Sequence, residues 1–379
     1  MIQLRHKSIK RNMLSLSAIA ITIIGITLMT VPAKAAEQKK LFFYSWADYI
    51  DPVLTKEFEK KNNVALVYDV YENPTAAEAK LLAKSVGYDV VVADLVSAER
   101  LIDVGILQKL DRSRLPNWNK LDPALMKIMS AQDKGNLYSV PHFYGTNGFG
   151  YIPERINGLM KNAPTNSLAM LFDPNVVKNF KSCGVNFKDS WQDVIAMALI
   201  YLGKNPNPKT PADVDAAMEV LWKVRPYVAA FNSGDYLDLM ASGEYCLSMI
   251  WGGDHLNVNK RAENGKSDVR FVYTLPKEGT VVWVDAFIIP KGAKNLDAAY
   301  AFLNAMMEPQ FAGANTNLTG FPTAINQSKS FVEKRITDDP NTFPPLDVLA
   351  KTYILERTPN KALDAYIAKA WQRLKSGKK

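Results

Sequence analysis

Three aspartates in this chain lie beside aromatic rings: Asp48 between Trp46 and Tyr49, Asp254 three residues after Trp251, and Asp285 two residues after Trp283. Carboxylates next to ring faces are the chemistry of a receptor for an organic cation. An ammonium gains charge-assisted hydrogen bonds worth roughly 1.5–3 kcal/mol, and each ring face adds about 0.5–2 kcal/mol by cation–π attraction. Two such ends reach micromolar affinity, about −8 kcal/mol, after the costs of ordering. Acids at both ends select a diamine and repel carboxylated amino acids.

The pair in "VVWVDAFII" is the most informative. Residues two apart on a strand share a face, so Trp283 and Asp285 point the same way. An acid inside such an apolar run is costly unless it meets a cation, and an internal Lys or Arg could supply one as well as a ligand. Asp254 follows Gly252 and Gly253 and reads equally well as a turn acid.

Catalytic alternatives are thin. Beyond the leader the chain holds only His142 and His255, far apart in sequence, and no G-x-S-x-G, H-E-x-x-H or phosphate loop occurs. "GTNGFG" (145–150) lacks the lysine of a nucleotide loop and reads as crossing-strand backbone. No enzyme is expected, and neither a cofactor nor a metal is implied.

The net charge of +8 over 379 residues first suggests a polyanionic partner. The amino terminus removes that inference. A basic, acid-free opening leads into the apolar run "MLSLSAIAITIIGITLM", and "PAKA" supplies small residues at Ala33 and Ala35. This pattern predicts a signal peptide over residues 1–35, cleaved after Ala35, with an uncleaved membrane anchor as the rival reading. Cleavage removes Arg5, Lys7, Lys10, Arg11 and Lys34 and leaves +3, too little to argue for nucleic acid. In an oxidising compartment the two cysteines, Cys183 and Cys246, read as one disulfide.

The elements that must position the acids alternate. Leu41–Ser45, "VALVYDV" and "YDVVVAD" are predicted strands, separated by helices that begin at Asp51–Pro52 and at "PTAAEAKLLAKS". Ser97 is the expected cap of the helix "SAERLIDVG". Strands and helices in this order imply a parallel sheet whose ligands sit beyond the carboxyl ends of the strands, where Asp48 and Asp94 fall. Both acids could equally be caps. The middle of the chain is more helical, and the final helix puts Leu363, Ile367, Ala370, Trp371 and Leu374 on one face, which makes Trp371 a core residue.

With "YSWADYI", "VYDVYEN", "YDVVVAD", "LPNWNKLDP", "KSCGVNF", "IYLGKNP", "WGGD", "WVDAFIIP" and "FPPLDV" in this order, nearly the whole chain after the leader resembles the periplasmic polyamine-binding proteins, most nearly the putrescine-binding members. The resemblance implies an α/β, two-lobed solute-binding protein of type II-like form. Each lobe is a mainly parallel sheet flanked by helices, joined to the other by hinge crossings. The expected segments are 36–147 and 261–320 for one lobe, 148–260 and 321–379 for the other. It implies a monomer that carries putrescine or spermidine to an inner-membrane ABC permease, without nucleic acid; a sensing subunit is the alternative.

Carried over by motif, the resemblance places one ammonium with Trp46, Asp48 and Tyr49 and the other with Asp254 and Asp285. Trp251 stacks between them, Trp283 and Phe321 form walls, Asp193 acts nearby, and Cys183–Cys246 is the family disulfide. Asp94 stands where relatives carry serine and Ala47 where they carry a hydroxyl. The added carboxylate compensates for the lost hydroxyl or takes a further amine.

Overall fold

The computed structural model describes residues 38–71, 73–83, 87–344 and 352–378. The expected signal segment lies outside these residues, as does the greater part of "FPPLDV". Asp-Pro pairs begin three helices. Asp51, Asp122 and Asp173 each accept backbone N–H groups of the first turn, while the following proline occupies a position that needs no donor.

Ten strands occur among the described residues: β1 (Lys39–Ser45), β2 (Val64–Val70), β3 (Val90–Asp94), β4 (Ser139–Tyr151), β5 (Val185–Phe187), β6 (Ala230–Phe231), β7 (Leu247–Trp251), β8 (Val272–Thr274), β9 (Val281–Ile288) and β10 (Tyr353–Ile354). Their order is β2-β1-β3-β9-β4-β7-β5-β6, with β10 against β9 and β8 against β4. The flanks, β2-β1-β3 and β7-β5-β6, are parallel. The centre is antiparallel, because β4 and β9 arrive there as crossings instead of through helical connections. The first half of β4 pairs with β9 and its second half with β7, so one strand runs from the first sheet into the second. "GTNGFG" lies within β4, as its composition suggests.

Two hydrophobic cores flank that crossing. The first gathers Phe43, Val92, Phe143, Phe287 and Phe302 with Phe321, Ala324 and Ile325; the second gathers Phe149, Phe187, Leu199, Leu247 and the final helix. Trp371 is buried in the second core, as its helical face requires. The molecule is thus α/β and two-lobed.

Close backbone approach explains two glycine positions. A Cβ on Gly145 would stand 2.4 Å from the Trp283 ring, which lies across β4 at that register position. Gly253 has φ +102° and its missing Cβ would meet the Gly320 carbonyl at 2.5 Å, so the turn before Asp254 touches the segment leading to Phe321. Cys183 and Cys246 are bonded, with Cα atoms 5.5 Å apart and a separation of 63 positions in sequence. A covalent loop of that length stabilises by about 2–4 kcal/mol. Cys183→Ala/Cys246→Ala therefore lowers the urea unfolding free energy by about that amount, and an unchanged midpoint would contradict this.

Candidate functional site

The carboxyl ends of β1, β3, β5 and β7 face a slot lined by Trp46, Tyr49, Asp94, Asp193, Trp251, Trp283 and Asp285. Asp94 ends β3 directly opposite Asp285 on β9. The helix after β3 begins at Leu95, three residues earlier than a cap at Ser97 would set it. Its cap is Asp94 rather than Ser97, and Ser97 donates its backbone N–H to Asp94 Oδ1 at 2.9 Å. Tertiary position decides this: the strand ends at Asp94, and its carboxylate is already beside the orphan N–H groups. Asp94 Oδ2 is buried with no hydrogen-bond partner.

Asp285 lines the slot together with Trp46, Tyr49, Trp251 and Trp283. It is 6% exposed and accepts the Tyr49 hydroxyl at 2.7 Å. No Lys or Arg pairs with it among the described residues. Burial, then the charges of Asp94 and Asp193, push its carboxyl up to about 7, against hydrogen bonding from Tyr49 and Trp46. Trp283 shares its face of β9, as the strand period requires, and packs edge-on against Phe321 at 5.0 Å. Trp46 and Trp283 each meet Trp251 edge-on, at 6.0 and 6.4 Å.

Asp193 comes from the second core, in the first turn of the helix Trp191–Tyr201 capped by Ser190. Its oxygens accept Asn147 Nδ2 at 2.7 Å and the Trp251 indole N–H at 3.3 Å. Burial raises its pKa, and these hydrogen bonds and the nearby Lys188 oppose the shift.

Two expected ligand acids stand elsewhere. Asp48 occupies a left-handed turn at φ +54°, and its side chain is 77% exposed, 3.8 Å from Arg261. It lines the wider polar cleft next to the slot, so the rings around it in sequence enclose Asp285 instead. The turn reverses the chain between Trp46 and Tyr49 and sends the intervening side chains to solvent. Asp254 is buried but already paired: its Oδ2 accepts the Tyr236 hydroxyl at 2.6 Å, the Trp251 backbone N–H at 3.0 Å and Lys188 Nζ at 3.3 Å. Phe321 lies behind Trp283 and borders the polar cleft.

Sequence reasoning overlooked Lys188 and Tyr236. The available signal was a lysine ending "VNFK", a strand whose other members are all buried. The histidines are structural. Buried His142, its pKa lowered to about 3 by desolvation, meets the Tyr49 carbonyl through Nε2, and His255 pairs with Asp339 at 2.6 Å.

The folded state holds the Asp285 proton more tightly than the unfolded chain does. This acid's contribution to stability is full below about pH 4 and is lost as pH rises toward 7. Asp285→Asn, still able to accept from Tyr49, raises the unfolding free energy of the ligand-free protein at pH 8 by on the order of 1–3 kcal/mol. The gain shrinks toward pH 4 in chemical denaturation, and a loss of stability at pH 8 would refute it.

A family model described as bacterial extracellular solute-binding protein matches residues 54–345. A putrescine-binding periplasmic protein of Pseudomonas aeruginosa is 37% identical over 361 residues, covering 94% of this chain and 98% of the relative. One of Escherichia coli is 36% identical over 357 residues, covering 93% and 96%. A solved structure from Listeria monocytogenes, assigned to a spermidine/putrescine ABC transporter, superposes with a TM-score of 0.79 at 27% identity, covering 89% of this chain and 99% of that one.

Proposed function

The chain belongs to the family of bacterial extracellular solute-binding proteins, and on that premise we propose that it binds a polyamine in the slot between its two cores. It is a binding protein and not an enzyme. One observation carries the reading: Asp285 is buried among tryptophans, receives a hydroxyl, and has no internal cation among the described residues. A ligand ammonium at Asp285 and Asp94 supplies the missing charge, and a second ammonium reaches Asp193 across the ring of Trp251. Trp46, Trp283 and Tyr49 cover the methylene chain between them. The curated relatives named above are described as putrescine-binding, which supports the same ligand class.

The protein acts in the periplasm after removal of residues 1–35, as a monomer that hands its ligand to an inner-membrane ABC permease. No helix of the described residues is long and apolar enough to cross a membrane. In this reading the expected lobe bounds shift: Phe321, Ala324 and Ile325 pack in the first core, whereas Ala262, Phe271, Tyr273 and Val281 pack in the second. Asp94 takes the place of the hydroxyl missing at Ala47, a reading supported by its pairing with Asp285 across the ladder and by its one unpartnered oxygen. The Listeria relative is assigned to a transporter, and nothing found favours the sensing alternative.

In a thermal-shift panel of putrescine, cadaverine, spermidine, spermine and agmatine, at least one amine raises the melting temperature of the wild type by several degrees. Asp285→Asn abolishes the rise. A wild type indifferent to every amine would end the proposal.

Acidity gives a separate check. The ligand-free Asp285 carboxyl titrates at about 7, whereas an ammonium favours its ionised form. Putrescine affinity therefore falls by up to about tenfold per unit as pH drops below 7. Binding near pH 7 releases a proton, visible as buffer-dependent enthalpy in calorimetry, and a flat profile between pH 5 and 8 would contradict it.

A further inference from the structure

Lys188 is 1% exposed and directly follows β5, which pairs with the strand β7 that carries Trp251. Its ammonium lies 3.4 Å from the centroid of the Trp251 ring, 3.5 Å from that of Tyr236 and 3.3 Å from Asp254 Oδ2. Two aromatic faces and a carboxylate, closed by the 2.6 Å bond from the Tyr236 hydroxyl, form the surroundings a ligand ammonium would need. The place that sequence assigns to one end of the ligand thus already holds a cation of the protein's own. We propose that Lys188 is a resident cation that takes the place of a ligand ammonium at Asp254, so that bound amines are confined to the slot of Asp94, Asp193 and Asp285.

This rests on the polyamine reading above and narrows it. Lys188, Tyr236, Trp251 and Asp254 all come from elements of the second lobe, so the cage is complete without any contribution from the first. The slot, by contrast, draws Asp94 and Asp285 from the first core and Asp193 from the second. A buried carboxylate without a partner is strongly unfavourable, and Lys188 answers Asp254 whether or not ligand is present. Displacing it is unfavourable as well, because a tethered ammonium has a local concentration near millimolar or above, against micromolar free amine. Trp251 is shared: Lys188 sits over its ring without lining the slot, while the indole borders the slot and donates to Asp193.

The consequence is selectivity by length. A short diamine places both charges among the three slot acids, whereas a longer triamine finds Asp254, the buried acid beyond them, already neutralised by Lys188. Lys188 is then a specificity-determining residue that never meets the ligand.

Calorimetry with putrescine and spermidine on three proteins tests this. Wild type is expected to favour putrescine by tenfold or more. Lys188→Met, which empties the cage and leaves Asp254 wanting a cation, shifts the ratio toward spermidine by tenfold or more. Lys188→Met/Asp254→Asn, which removes both charges and folds even where the single change does not, binds putrescine within threefold of wild type. A thirtyfold loss in the double variant would mean that Asp254 holds the ligand and would overturn the inference, as would an unshifted ratio in Lys188→Met.

Reductive methylation read by mass spectrometry is independent of amine binding. Lys188 stays unmodified in the ligand-free and the putrescine-saturated protein, and modification in either state would show that it leaves the cage. If wild type binds no amine at all, the polyamine reading fails, while the labelling still decides whether Lys188 is resident.

Discussion

A carboxylate withdrawn from water must be answered by a positive charge or by a proton. This protein contains both solutions a few ångströms from one indole. Asp254 has Lys188, two hydrogen-bond donors and two ring faces around the ammonium, and is complete. Asp285 has a tyrosine hydroxyl and two acidic neighbours that make its ionised form worse, and its carboxyl is driven up to about 7. The first arrangement is a structural ion pair. The second lacks a cation among the described residues, and on the reading proposed above the ammonium of a solute supplies it.

Leaving an acid unfinished has a cost that the rest of the slot sustains. Tyr49 is held by Phe143 and by His142, which stays neutral and fixes the Tyr49 carbonyl. Asp94 is fixed by its capping bond to Ser97 through one oxygen, which leaves the other buried without a partner. The tryptophans exclude water, which strengthens any ammonium–carboxylate contact made among them and equally raises the cost of an empty slot. Affinity and ligand-free instability come from the same burial, so neither can be tuned without the other.

Much of this was legible from residue order, and what was not has physical causes. The strand period at Trp283 and Asp285, the Asp51–Pro52 helix start, the burial of Trp371 and the site beyond the strand ends all follow from local rules that the tertiary structure leaves intact. Asp48 stands apart from the slot because neighbours in sequence are not neighbours in space. One left-handed residue sends Asp48 to solvent while Tyr49 turns inward to an acid 236 positions away. Ser97 lost the cap to Asp94 because the strand's end, rather than the run of helix formers, sets where the helix begins. Lys188 was invisible for a related reason. Its partner Asp254 lies 66 residues further on, and no periodicity marks a buried lysine whose justification is one distant carboxylate.

The distribution of acids between the cores also bears on how occupancy is sensed by the fold. Asp285 and Asp94 belong to one core and Asp193 to the other, and the charge of Asp193 already raises the Asp285 carboxyl. Like charges facing each other across a crossing of few strands oppose the approach of the two sides. A dication between them converts that repulsion into two attractions, so its affinity is greater for the arrangement in which the sides are near. Differential affinity of this kind is what a ligand needs in order to shift a population. Lys188 contributes nothing to that difference, because Lys188 and Asp254 both belong to one side and neutralise each other there. By neutralising Asp254 within its own lobe, the resident lysine leaves the coupling between ligand charge and lobe approach to the acids that span the slot.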